Sequence, residues 1–153
     1  MAASEEFRVE GSETPSCLDP ETIQAYCRCE YRVFGANPFT LTVGVLSPEL
    51  ALLHERHDVR ESAYLTACNP WGRLTDAESN RQAQARLAAV LASLGLPWLE
   101  AKGVDPDRLW PGEASFLVLG LARGQACELG RAFCQNAVVY CGAQAVPELL
   151  LLR

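Results

Sequence analysis

Hydrophobic positions in this chain fall into short alternating or continuous runs, broken by turn residues and by four stretches that read as helices. Asp19-Pro20-Glu21 offers an N-cap carboxylate with proline at the first helical position, and Ile23, Tyr26 and Cys27 then mark one face of a short helix. Residues 31–34 and 39–46 read as two strands joined through Gly35-Ala36-Asn37-Pro38, a hairpin. Ser47-Pro48-Glu49 opens a second helix to about residue 56. Residues 62–68 form a strand that stops at the turn cluster Asn69-Pro70-Trp71-Gly72. Thr75 and Glu78 have capping-box spacing, and the helix they open carries Ala83, Leu87, Val90, Leu91 and Leu94 on one stripe before Gly95 ends it. Residues 98–102 are a short strand and 103–112 a loop rich in Gly, Pro and Asp. A buried strand over 115–119, a helix over 123–133 and strands over 136–141 and 148–152 complete the chain.

From residue 62 to 141 the order is strand, helix, strand, strand, helix, strand, the signature of a ferredoxin-like split βαβ unit. The expected fold class is α+β, a mostly antiparallel sheet covered by helices, with the N-terminal hairpin and the last strand extending its edges. The inner strands are nearly continuous apolar runs, as a sheet covered on both faces requires. Residues 1–16 are polar, acidic and aperiodic and read as a disordered tail, leaving 17–153 as a single domain.

Length and charge narrow the class. At 153 residues the chain suffices for one core, and a net charge of -6 argues against nonspecific nucleic-acid binding, which needs clustered positive charge. No apolar run approaches the roughly 20 residues that span a bilayer, and the N-terminus has no basic or apolar export segment, so no membrane partner and a cytoplasmic location are expected. Seven cysteines without an export signal read as reduced thiols. Cys27-x-Cys29 lacks zinc-ligand spacing, and His54 and His57 read as a solvated helix end, so neither metal nor cofactor is expected.

Candidate chemistry comes from geometry. In a split βαβ unit the first and second strands run one way and the third and fourth run back. The ends of the first two and the starts of the last two therefore share one end of the sheet. That end collects Asn69, Glu113, Ser115, Gln135 and Asn136, and the N-terminus of the first long helix brings Arg73 and Asn80. Each residue also has a plain structural role open to it. Asn69 forms turns, Glu113 pairs with an arginine or caps a backbone group, Ser115 satisfies its own strand, Gln135 and Asn136 close a helix, and Arg73 is solvated.

Three segments, 62–70, 110–120 and 130–139, together resemble an uncharacterised bacterial family, domain of unknown function 3293. They include Ala67-Cys68-Asn69-Pro70, Trp110-Pro111-Gly112-Glu113-Ala114-Ser115 and Phe133-Cys134-Gln135-Asn136, and Asn80 also fits. The similarity spans roughly 22–152, with Cys68 as a departure where a larger side chain is expected. The resemblance implies a compact bacterial cytosolic protein and no particular activity. The leading expectation is a small domain that binds a polar or anionic small molecule at the sheet end. Two alternatives stand beside it: a hydrolase or nuclease with Glu113 as general base and Arg73 stabilising the transition state, and a protein-interaction module with no small-molecule site.

Overall fold

The computed structural model describes residues 7–153. In chain order these form α1 (Pro20–Arg28), β1 (Glu30–Val33), β2 (Phe39–Leu41), α2 (Pro48–Arg56), β3 (Ser62–Leu65), α3 (Ala77–Ser93), β4 (Trp98–Val104), β5 (Glu113–Leu119), α4 (Arg123–Ala132), β6 (Ala137–Cys141) and β7 (Pro147–Leu151). The strands make one seven-stranded sheet, in the order β2-β1-β4-β5-β3-β6-β7, and every neighbouring pair is antiparallel. The expected neighbours β3 and β5 are adjacent, with Ser62 opposite Leu119 and Leu65 opposite Phe116. The β1–β2 hairpin extends the sheet beyond β4, and β7 extends it beyond β6.

Side-chain parity gives the sheet two covered faces. Ala63, Leu65, Phe116, Val118, Val138 and Leu150 pack with Leu87 and Leu91 of α3 and with Ala126 and Cys127 of α4. Their neighbours along the same strands, Tyr64, Leu117, Leu119, Val139 and Cys141, point the opposite way and pack with Leu50 and Leu53 of α2, joined by Tyr31, Val33 and Leu41. Tyr31 and Tyr64 meet edge to face with ring centroids 5.1 Å apart.

Local chemistry shifts several expected boundaries. The expected Thr75 cap gives way to Asp76, whose carboxylate accepts from the Ser79 amide at 2.9 Å, while Glu78 turns outward to Arg81. A carboxylate is the stronger acceptor for a helix N-terminus. β2 ends at Leu41 because Gly44, at φ +81°, turns the chain and donates to the Pro147 carbonyl at 2.8 Å. His54, expected on a solvated face, is buried, with Nε2 2.8 Å from Ser62 Oγ, and burial lowers its pKa.

Of the stretch 1–16, expected as a tail, residues 1–6 lie outside the described residues. Residues 7–16 turn back through a bridge between Arg8 and Pro15. The Glu10 amide donates to the Leu151 carbonyl at 2.8 Å, and the Glu10 carboxylate accepts from Arg123 Nε at 2.6 Å. The polar composition that suggested a free tail here has backbone and ionic partners on β7 and α4.

Candidate functional site

Two loops meet at the end of the sheet where β3 stops and β5 and β6 begin. The first turns through Asn69, which adopts left-handed φ and ψ of 50° and 64° before Pro70, then through Trp71 at φ 57°. The second closes α4 through Cys134 at φ 56°. They are tied directly: the Trp71 amide donates to the Cys134 carbonyl at 2.7 Å, and Gln135 Nε2 donates to the Cys68 carbonyl at 3.0 Å and the Phe133 carbonyl at 3.2 Å.

Asn69 is the hub. Its amide donates to Asn80 Oδ1 at 2.8 Å, and its Oδ1 accepts from the Thr75 amide and from Asn80 Nδ2, both at 2.9 Å. Its remaining donor, Nδ2, reaches Glu113 Oε1 at 2.9 Å. Asn80, on the first turn of α3, therefore fixes Asn69, and Asn69 fixes Glu113.

Glu113 starts β5 and faces a cavity of about 290 Å³. Tyr26 of α1, Tyr31 of β1, Tyr64 of β3 and Trp110 of the β4–β5 loop contribute aromatic wall, and Gln135 and Asn136 contribute amides. Among the described residues no Arg, Lys or His makes an ion pair with Glu113, and none lines the cavity. Burial pushes the Glu113 carboxyl above the ordinary carboxylate value, and the Asn69 hydrogen bond offsets only part of that. The field of Glu113 also helps raise Tyr26 and Tyr64, although burial is the larger cause for both. Cys29, on the same wall, is pushed up to about 12, mainly by burial.

Five of the seven predicted residues line this cavity: Asn69, Glu113, Ser115, Gln135 and Asn136. Ser115 is buried, and its hydroxyl donates to the Glu113 carbonyl at 3.0 Å, so it holds the strand start. Asn136 Nδ2 donates to the Tyr26 hydroxyl at 3.0 Å, while its buried Oδ1 has no partner. Asn80 lies behind Asn69 and borders a second, more open cleft of about 530 Å³ along α3, which also shares Asn69 and Glu113. Gln84 lines that cleft; its Oε1 accepts from the Ala67 amide at 2.9 Å and its Nε2 is buried without a partner. Arg73 is not brought in: it is exposed and lines neither space.

The aromatic wall is what the sequence reading missed. Tyr31 and Tyr64 lie far apart in the chain and meet only because β1 joins the sheet through β4. The available signal was parity. Tyr64 is two residues from Ser62, and Ser115 and Leu117 lie on the same face of the neighbouring strand, so a cavity at Ser115 would have Tyr64 beside it.

The family model described as protein of unknown function (DUF3293) matches residues 65–138. The match covers a little under half of the chain, and over that segment the chain is similar to the family. The match contains all seven predicted residues, from Asn69 to Asn136, and Trp110. Tyr26, Cys29, Tyr31 and Tyr64, the rest of the aromatic and sulfur wall, precede it, so the DUF3293 segment supplies the polar side of the cavity and residues before it most of the aromatic side. No match to the chain was found among curated proteins or among solved structures. No helix among the described residues is long and apolar enough to cross a membrane.

Proposed function

We propose that the protein holds a small polar molecule in the cavity at the sheet end, with Glu113 as the group that answers it. One observation carries the reading. Glu113 is a partly buried carboxylate in an aromatic surround, held by a single hydrogen bond and with no ion-pair partner among the described residues. A carboxylate kept for stability is ordinarily paired or fully hydrogen-bonded; one left free in a cavity is available to a partner from outside. Gln135 and Asn136 add polar groups beside it, and the volume is near the lower end for ligand pockets. Among the described residues the lining holds no cation and Arg73 lies outside it, which moves the expected ligand from anionic to neutral or cationic.

A hydrolytic role for the same residue is the second reading. It draws on the upward shift of the Glu113 carboxyl, since burial makes it a stronger base than an ordinary carboxylate. The exposed Arg73 leaves that reading without its expected stabiliser of negative charge. We further take the unit from β3 to β6 as a split βαβ, ferredoxin-like scaffold, and the protein as bacterial and cytoplasmic with free thiols, in keeping with its seven unpaired cysteines.

The test is native mass spectrometry of freshly purified protein, followed by thermal-shift screening of small polar compounds against wild type and Glu113→Gln. Bound mass or a thermal shift in the wild type that Glu113→Gln loses supports binding at this cavity. Shifts that are equal in both proteins overturn it.

A further inference from the structure

We propose, resting on the binding reading above, that the occupant of this cavity is a compact organic ammonium ion, its charge held by Glu113 and its alkyl surface by the rings of Tyr26, Tyr31, Tyr64 and Trp110. Three observations converge on that chemistry. The carboxylate uses Oε1 to accept from Asn69, and no donor among the described residues reaches Oε2. Four aromatic side chains line the same space, and aromatic faces attract cations most strongly where water is excluded. Among the described residues no basic side chain lines the cavity to compete for either feature.

The alternatives fit less well. An anion would meet Glu113 with no cation to offset it. A neutral, wholly apolar molecule would leave the carboxylate desolvated and still unpaired, an unfavourable state. An ammonium ion replaces the missing counter-charge and accepts the rings. The tyrosine hydroxyls are already engaged elsewhere: Tyr31 donates to the Tyr26 carbonyl at 2.5 Å and Tyr64 to the Arg32 carbonyl at 3.0 Å, so these two residues offer ring surface rather than hydroxyls. At about 30 Å³ per water-sized unit, the 290 Å³ cavity has room for a ligand of roughly ten non-hydrogen atoms.

The raised pKa of Glu113 fits the same picture. Burial makes the charged carboxylate costly by itself, and a bound ammonium would offset that cost.

The experiment uses the full chain and matched probes that differ in charge on one frame: choline, its neutral carbon isostere 3,3-dimethylbutan-1-ol, and 3,3-dimethylbutanoate, together with tetramethylammonium and n-butylamine. Binding is read by titration of backbone amide NMR signals from residues 113–115 and 135–137. The expected result is that at least one of the cations binds about tenfold or more tightly than the alcohol and the carboxylate. Glu113→Gln should remove that preference. Trp110→Leu, which keeps apolar bulk at a half-buried loop position, should weaken the cation several-fold and the alcohol less, because both lose ring contact but only the cation loses the attraction of its charge to the ring. Equal or tighter binding of the alcohol or carboxylate overturns the ammonium inference while leaving the binding reading standing. No signal change at the cavity with any probe overturns the inference, and an empty native mass spectrum with a blank thermal-shift screen then takes the binding reading with it.

Discussion

Asn69 Nδ2 donates to Glu113 Oε1 across 2.9 Å, and this is the only side-chain hydrogen bond that Glu113 receives among the described residues. The two ends of the bond are unequal. Asn69 has every polar group engaged, with Asn80, Thr75 and Glu113, whereas Glu113 keeps an oxygen free. Asn69 therefore holds the turn and, through its side chain, aims Glu113, whose second oxygen is left free at the cavity.

That asymmetry predicts different melts for the two residues. Asn69→Ala removes three side-chain hydrogen bonds from a buried site and puts alanine at φ 50°. A loss of roughly 2–4 kcal/mol is expected from unpaired buried groups and the left-handed backbone. Asn69→Gly should recover part of it, because glycine accepts that backbone but not the hydrogen bonds. Urea denaturation of both variants measures the difference. A loss below about 0.5 kcal/mol for Asn69→Ala would contradict the hub role.

Glu113→Gln should behave in the opposite way and with a pH signature. The Glu113 carboxyl lies above its ordinary value of 4.5 in the folded state because burial disfavours its charge. A raised pKa means that the folded protein holds the proton more tightly than the unfolded chain. Its stabilising contribution is full below pH 4.5 and is lost as pH rises through the raised value. The neighbouring titratable groups, Tyr26, Cys29, Tyr64 and Cys68, are all pushed upward and stay neutral across that window. The variant cannot ionise at this site and still offers an oxygen to Asn69. It should match wild type in acid and equal or exceed it at pH 7, within about 1 kcal/mol. A variant clearly weaker than wild type at pH 7 would mean that the carboxylate is paired in the fold.

How much of this was legible in the sequence depends on the range of the interaction. Glu113 and Asn69 come together as the sequence implies, because each interrupts a strand run at a junction and strand direction alone sends those junctions to one end. The β3–β5 pairing followed from element order and was found as expected. Arg73, expected beside Asn69 and Glu113, is exposed and lines neither space, because a sequence pattern places a residue at a loop without fixing where its side chain goes. The tyrosine wall and the buried His54 depend on which strand and helix cover which face. His54 looked like a polar helix end until Ser62, at the start of β3, turned out to be its partner.

The thiols should divide by burial. All seven cysteines are free; Cys17 is exposed, whereas Cys29 and Cys141 are buried and pushed up to about 12. Only the thiolate is a good nucleophile, so a burial-raised thiol is slow. In native protein Cys17 should react first with a disulfide reagent, and Cys29 and Cys141 should react only on unfolding. Seven equivalents are expected in denaturant without reductant. Fast native modification of Cys29, mapped by peptide mass, would show that the cavity wall opens readily.

Gly72 links the turn to the cavity and gives the sharpest packing test. Its φ is +71°, a backbone that favours glycine, and a Cβ there would lie 2.9 Å from Asn136 Nδ2. Asn136 is itself held by its bond to the Tyr26 hydroxyl, so it can yield only by letting go of α1. Gly72→Ala should therefore lose about 1–3 kcal/mol from backbone strain and the displaced amide together. It should also perturb Tyr26, which lies 46 residues earlier in the chain. The paired readout is a denaturant melt with the NMR shifts of the Tyr26 ring. Destabilisation with a shifted Tyr26 signal supports the chain of contact from turn to amide to α1. Destabilisation with Tyr26 unmoved would mean that the cost is backbone strain alone and that the two sides of the cavity are mechanically independent.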